Sequence, residues 1–111
     1  MFMSDESVFI IAEAGVNHNG DPDLAMQLVD AVAESGADAV KFQTFDAKAL
    51  VVSSAAKAFY QQAATGGTES QQQMLAGLEL DSETHHRLLH RAKEHGLLFM
   101  STAFDSASLA F

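Results

Sequence analysis

Three short apolar runs, Val8-Phe9-Ile10-Ile11-Ala12, Ala37 to Thr44 and Leu97 to Ser101, alternate with longer stretches whose apolar residues recur at helical spacing. The first run is rich in β-branched residues and is closed by a polar, Gly-containing stretch, Glu13 to Gly20, the pattern of a strand buried on both faces. Asp21-Pro22 then supplies an N-cap and the residue favoured at the first helical position. Ala25, Leu28, Val29 and Val32 follow on one helical face, and Gly36 stops the helix. Glu69 to Leu78 reads as a short helix with Met74, Leu75 and Leu78 on its apolar side. Asp81 caps a stronger one in which His85, Leu88, Leu89 and Ala92 share a face and which Gly96 ends. Asp105 to Phe111 reads as the start of a further helix. Strands are thus expected near 8–13, 37–44 and 97–102, and a strand, a helix and a strand with short joints predict right-handed crossovers and a parallel sheet. Phe45 to Glu69 lacks periodicity; a short helix fits within Ala47 to Gln62, and Thr65-Gly66-Gly67-Thr68 breaks any continuation.

The chain has 111 residues, 48% of them hydrophobic, with no Cys, one Pro and a formal net charge of −9. This is the composition of one globular domain. Fifteen acids against six bases argue against a sequence-independent grip on nucleic acid and against anionic membranes, because both are built from cationic contacts. The lack of Cys rules out a disulfide scaffold and cysteine-ligated zinc. Val8 to Ala12 is far short of the roughly 20 residues that span a bilayer, and Met1 to Ser7 carries no base, unlike a secretory signal. A cytoplasmic protein is the expectation.

Side chains alternate along a strand, so Phe9, Ile11 and Glu13 point one way, as do Ala39, Lys41 and Gln43, and Leu98, Met100 and Thr102. A carboxylate, an ammonium, an amide and a hydroxyl therefore gather at the C-terminal ends of successive parallel strands, where ligand sites of α/β folds lie. Lys41 is either an edge lysine or, flanked by Val40 and Phe42, an ammonium that needs a counter-charge or an anionic ligand. Glu13 is either its structural partner or a catalytic carboxylate. His86 and His90 are four apart on a helix, but basic neighbours and the lack of a carboxylate between them point to a solvated face rather than a metal site. Asn17-His18-Asn19-Gly20 either lines a pocket or forms a turn. Gly66-Gly67 follows no strand, so it is not a phosphate loop.

Three segments together resemble the N-terminal part of the sialic acid synthase family, which makes N-acetylneuraminate, legionaminate and related nonulosonic acids. They are Ile11-Ala12-Glu13-Ala14-Gly15-Val16-Asn17-His18-Asn19-Gly20, Gly36-Ala37-Asp38-Ala39-Val40-Lys41-Phe42-Gln43-Thr44-Phe45 and Phe99-Met100-Ser101-Thr102-Ala103-Phe104-Asp105. The similarity runs from about Val8 to the last residue. Ala103 departs from the pattern, standing where the family usually has proline.

The resemblance implies a transferase that joins phosphoenolpyruvate to an open-chain N-acyl-hexosamine such as N-acetylmannosamine, releases phosphate and uses a divalent metal, Mn²⁺ or Mg²⁺. It implies a (β/α)₈ TIM barrel followed by an antifreeze-like domain, in a homodimer. Lys41 and Thr102 would contact phosphoenolpyruvate, Glu13 would act as the catalytic carboxylate facing the sugar beside Gln43, and Phe104 would shape the pocket. Such a barrel takes about 250 residues, so residues 1–111 are expected to hold only the first three βα units, without the antifreeze-like domain. The metal-binding histidines would lie downstream, and His18, His85, His86, His90 and His95 do not match them. A fragment of this kind is expected to be inactive alone. The alternative is a non-catalytic βα domain that binds a small phosphorylated ligand or completes a barrel with a second chain.

Overall fold

Each apolar run becomes a strand: β1 (Ile11–Gly15), β2 (Ala39–Thr44) and β3 (Leu98–Ala103) form a parallel sheet in the order β1-β2-β3. This computed structural model describes residues 7–50 and 71–111. Helix α1 (Pro22–Ser35) connects β1 to β2. Helices α2 (Ala47–Leu50), α3 (Gln71–Ala76) and α4 (Ser82–Glu94) lie between β2 and β3, and α5 (Ser106–Ala110) follows β3.

The helix ends follow from local chemistry. The Asp21 carboxylate accepts from the amides of Asp23 and Leu24 at 2.9 and 3.3 Å, Pro22 opens α1, and Gly36 closes it in the left-handed conformation at φ 85°. Asp81 caps α4 by accepting from Thr84 N at 2.8 Å, and the Thr84 hydroxyl first, with this amide second, holds its carboxyl below the usual range. Gly96, at φ 72°, lies just past its end. The alternation of β2 places Val40 and Phe42 towards the helices, where they form one core with Ala25 and Val29 of α1 and Leu88 and Ala92 of α4. Phe42 also stacks on Phe99 of β3, ring centroids 5.8 Å apart.

A polar clamp joins the two long helices. Arg91 donates from Nε and Nη2 to the two oxygens of Asp30, each at 2.7 Å, and His95 Nε2 adds a third bond of 2.7 Å. The Arg91 guanidinium, and after it His95, hold the Asp30 carboxyl far below the usual carboxylate range.

Several expected boundaries shift. The first strand begins at Ile11 rather than Val8 because Ile10 is engaged by the turn before β2: its amide donates to Asp38 Oδ2 at 2.7 Å and its carbonyl accepts from Asp38 and Ala39. Nor is this run buried on both faces. Val8 and Ile10, which lie ahead of the strand, are 75% and 50% exposed, and Ile11 is 44% exposed because no element among the described residues packs on the sheet face that it shares. The second strand starts at Ala39 and the third at Leu98. Helix α3 stops at Ala76 rather than Leu78, and it buries no residue fully. Of the expected helix within Ala47 to Gln62, α2 occupies the first turn. The remainder, the Thr65–Thr68 break and the residues Glu69 and Ser70 lie outside the described residues.

Candidate functional site

The sheet register brings the sequence-derived candidates together. Glu13, Lys41 and Met100 stand abreast on β1, β2 and β3, and Gln43 stands opposite Thr102 on the next rung of the same face, towards the C-terminal ends. This face is opposite the one that carries the helices. Lys41 Nζ lies 3.2 Å from Glu13 Oε2, with the side chains 36% and 45% exposed, so Glu13 is the counter-charge that the lysine needed. An ion pair this open to water contributes little to stability, which leaves the ammonium free to exchange partners with an anion.

A β-bulge shapes the β1 side. Glu13 pairs with Lys41 but Gly15 pairs with Phe42, so Ala14 is an extra residue, and Gly15 has φ 56°. A Cβ on Gly15 would stand 3.2 Å from Glu13 Oε1 and 3.5 Å from Gln43 Nε2. The missing side chain thus leaves space between the carboxylate and the amide.

The loops after β2 and β3 are tied to each other. Phe104 N donates to Thr44 O at 3.0 Å, and its half-exposed ring meets Phe45 edge-on at 6.4 Å. Asp105 accepts from Asp46 N at 2.7 Å and caps α5 by accepting from Ser108 N at 2.8 Å; these amide donors hold its carboxyl below the usual range.

Sequence reasoning missed a second polar group on the helix side of the same strands. Thr44 Oγ1 lies 2.9 Å from Nε2 of the buried His85 and 2.5 Å from Ser101 Oγ. The available signal was parity, since Thr44 and Ser101 are hydroxyl residues at positions whose strand neighbours, Val40, Phe42 and Phe99, face the core. A cavity of about 290 Å³ opens beside them, lined by residues that include His86, Leu89 and Phe111. His18 is also buried rather than lining a pocket. Its Nδ1 accepts from Gly20 N at 2.9 Å, its ring stacks on Phe42, and its Nε2 has no hydrogen-bond partner among the described residues. Asn19 and Gly20, both at positive φ, form a tight turn closed by Asp21 N donating to His18 O at 3.0 Å.

His86 and His90 face solvent, and His90 Nε2 sits 3.2 Å from Glu94 Oε1 of its own helix. Among the described residues no group of three His, Asp or Glu is placed to hold a metal ion. No described helix is long and apolar enough to cross a membrane.

The family model described as the NeuB family matches residues 28–111. The chain belongs to the NeuB family. This NeuB-family chain is 53% identical over 108 residues to the N,N'-diacetyllegionaminic acid synthase of Legionella pneumophila, a match covering 97% of the chain and 30% of that protein. The Campylobacter jejuni enzyme of the same name is 50% identical, with 94% and 31% covered. Among solved structures, the N-acetylneuraminic acid synthetase of Leptospira borgpetersenii, crystallised with citrate, superposes with a TM-score of 0.72 at 30% identity, covering 95% of this chain and 32% of that one. The chain therefore spans about a third of the length of the relatives it matches.

Proposed function

We propose that this chain supplies the first three βα units of a (β/α)₈ barrel in a nonulosonic acid synthase, which condenses phosphoenolpyruvate with an open-chain N-acyl-hexosamine and releases phosphate. The reading rests on one observation, the in-register placement of Glu13, Lys41, Gln43 and Thr102 on one face at the C-terminal strand ends. Lys41 and Thr102 bind phosphoenolpyruvate, the ammonium giving up Glu13 for a substrate that carries several negative charges. Glu13, released from the ion pair, and Gln43 face the sugar. As the carbon–carbon bond forms, the aldehyde oxygen becomes an alkoxide and C2 of phosphoenolpyruvate takes up a water before its bond to the phosphate breaks; Glu13 is placed to accept the proton that the water gives up and pass it to the alkoxide. Phe104, held by Phe45, forms part of the pocket wall.

The divalent metal implied by the family finds no donor set among the described residues. The 53% and 50% identities to diacetyllegionaminate synthases, against 30% to the neuraminate enzyme, favour as acceptor a hexose carrying two acetamido groups. The protein acts in the cytoplasm as a homodimer, and residues 1–111 alone are inactive because most of the barrel wall is missing from them.

Lys41→Met tests the assignment in the full-length protein that carries this segment. It removes the charge and keeps most of the volume. The KM for phosphoenolpyruvate should rise by more than about tenfold, equivalent to about 1.4 kcal/mol of lost anion binding, while the KM for the sugar moves little. Wild-type kinetics in this variant would overturn the reading.

A further inference from the structure

We propose that Thr44, acting with His85 and Ser101, is a positioning residue that locks the ends of β2 and β3 together and so sets the spacing of Gln43 and Thr102 on the opposite face. The lock is a chain of hydrogen bonds. His85 sits in the first turn of α4 with its Nδ1 2.9 Å from Asp81 O, a carbonyl that can only accept, so Nδ1 donates and the ring is oriented with Nε2 towards Thr44. The Thr44 hydroxyl lies 2.9 Å from that Nε2 and 2.5 Å from Ser101 Oγ, and a hydroxyl can donate to one partner while accepting from the other. Thr44 of β2 is thus held by a ring that is itself buried and fixed to the helix backbone, and Ser101 of β3 is held by Thr44.

The position of this chain gives it a purpose that packing does not. The β2–β3 ladder ends at the rung Thr44–Ala103, one residue beyond Gln43–Thr102, where backbone bonds from Phe104 to Thr44 and from Asp46 to the Asp105 carboxylate join the strands and the Thr44 hydroxyl adds a side-chain tie to the helix layer. A lock at that point constrains the last rungs. Packing alone would be met by valine at position 44, on the cavity wall that it shares with Leu89, Phe99 and Phe111, with no polar groups to satisfy. On the reading given above, which this inference extends, Gln43 faces the sugar and Thr102 faces phosphoenolpyruvate. The distance between those two strand ends is then part of the distance between the reacting atoms, and small misplacements there slow the chemical step more than they weaken binding.

The test compares Thr44→Val, which keeps the shape and loses the hydroxyl, with Thr44→Ser, which keeps the hydroxyl. Both are made in the full-length protein and assayed by phosphate release with phosphoenolpyruvate and the acyl sugar that the unmutated enzyme turns over. Thr44→Val should lower kcat by about tenfold or more with both KM values within about twofold of wild type, and Thr44→Ser should restore most of the rate. A wild-type kcat in Thr44→Val, or an equal loss in Thr44→Ser, would overturn the inference. Lys41→Met assayed alongside reports separately on the proposed site. Unchanged kinetics there would remove the assignment of phosphoenolpyruvate to Lys41, while the valine–serine comparison would still decide whether the hydroxyl positions the strand ends.

Discussion

A histidine sealed beneath the first loop carries a pH dependence that follows from its surroundings. His18 is buried against Phe42, and burial first, with the nearby His85 second, lowers its pKa below the ordinary 6.5. Between the folded pKa and about 6.5 the unfolded chain binds a proton at this position and the folded chain does not. The contribution of His18 is therefore fully present above about pH 6.5 and is lost as the pH falls towards the lower, folded value. His18→Phe keeps an aromatic ring on Phe42 and removes the titration. Urea unfolding at about pH 7.5 and about pH 5.5 should show a smaller loss of stability on acidification in the variant than in the wild type, and equal losses would show that His18 does not carry the effect. At this scale the sequence was legible in part. Glu13, Lys41, Gln43 and Thr102 were placed correctly by strand parity alone, and Asn19-Gly20 announced its turn. The inward direction of His18 was hidden, because residues within a turn follow no period, and the Gly15 bulge was hidden because it is a property of strand pairing rather than of one strand.

Between elements, the turn that opens α1 is held against the turn that precedes α4. A Cβ added to Gly20 would meet the carbonyl oxygen of Gly77 at 2.0 Å, and Gly20 has φ 78°. Neither partner is a flexible side chain, so one of the two turns would have to move. Gly36 is a useful contrast, for its φ is 85° but no atom lies within 4 Å of where its Cβ would stand. Gly36→Ala should cost about 1 kcal/mol from the left-handed backbone alone, whereas Gly20→Ala should cost more than about 2 kcal/mol because a steric conflict is added to the same strain. Denaturant titrations of both variants measure the difference, and equal costs would mean that the contact between the turns relaxes easily. The helix limits were legible because Asp21, Pro22, Gly36, Asp81 and Asp105 act within a few residues of where they stand. The start of β1 was not, because Ile10 leaves the ladder through bonds to Asp38, a partner 28 positions away.

Across the molecule, the helices cover one side of the sheet and no described element covers the other. Ile11 and Leu98 are 44% and 51% exposed there, with Val8 and Ile10 bared at the start of β1, and β1 and β3 both present unpaired edges within the described residues. Apolar faces and open parallel edges favour association, while the net charge of −9 opposes it. The purified 111-residue chain should self-associate as its concentration rises, and more strongly when salt screens the charge. Light scattering across concentration and ionic strength measures this; a monomer throughout would show that the bare face is tolerated. The parallel order of the strands was legible from the strand–helix–strand spacing, but the exposure of the first run was not, since apolar composition reports what a segment needs rather than what is present to cover it.

The order of the strands in space repeats their order along the chain, and this bears on how the protein is made. During synthesis from the N-terminus, β1 and α1 emerge before β2, so β2 arrives to find its neighbour and its helix already present. The next strand then meets β2 only after α4 has left the ribosome with Leu88 and Ala92, the residues that close the core over Phe42. No strand has to be inserted between two that are already paired. The growing chain can therefore bury its apolar residues in the sequence in which they are translated, and β2 and β3 each join the edge formed by the strand made just before them.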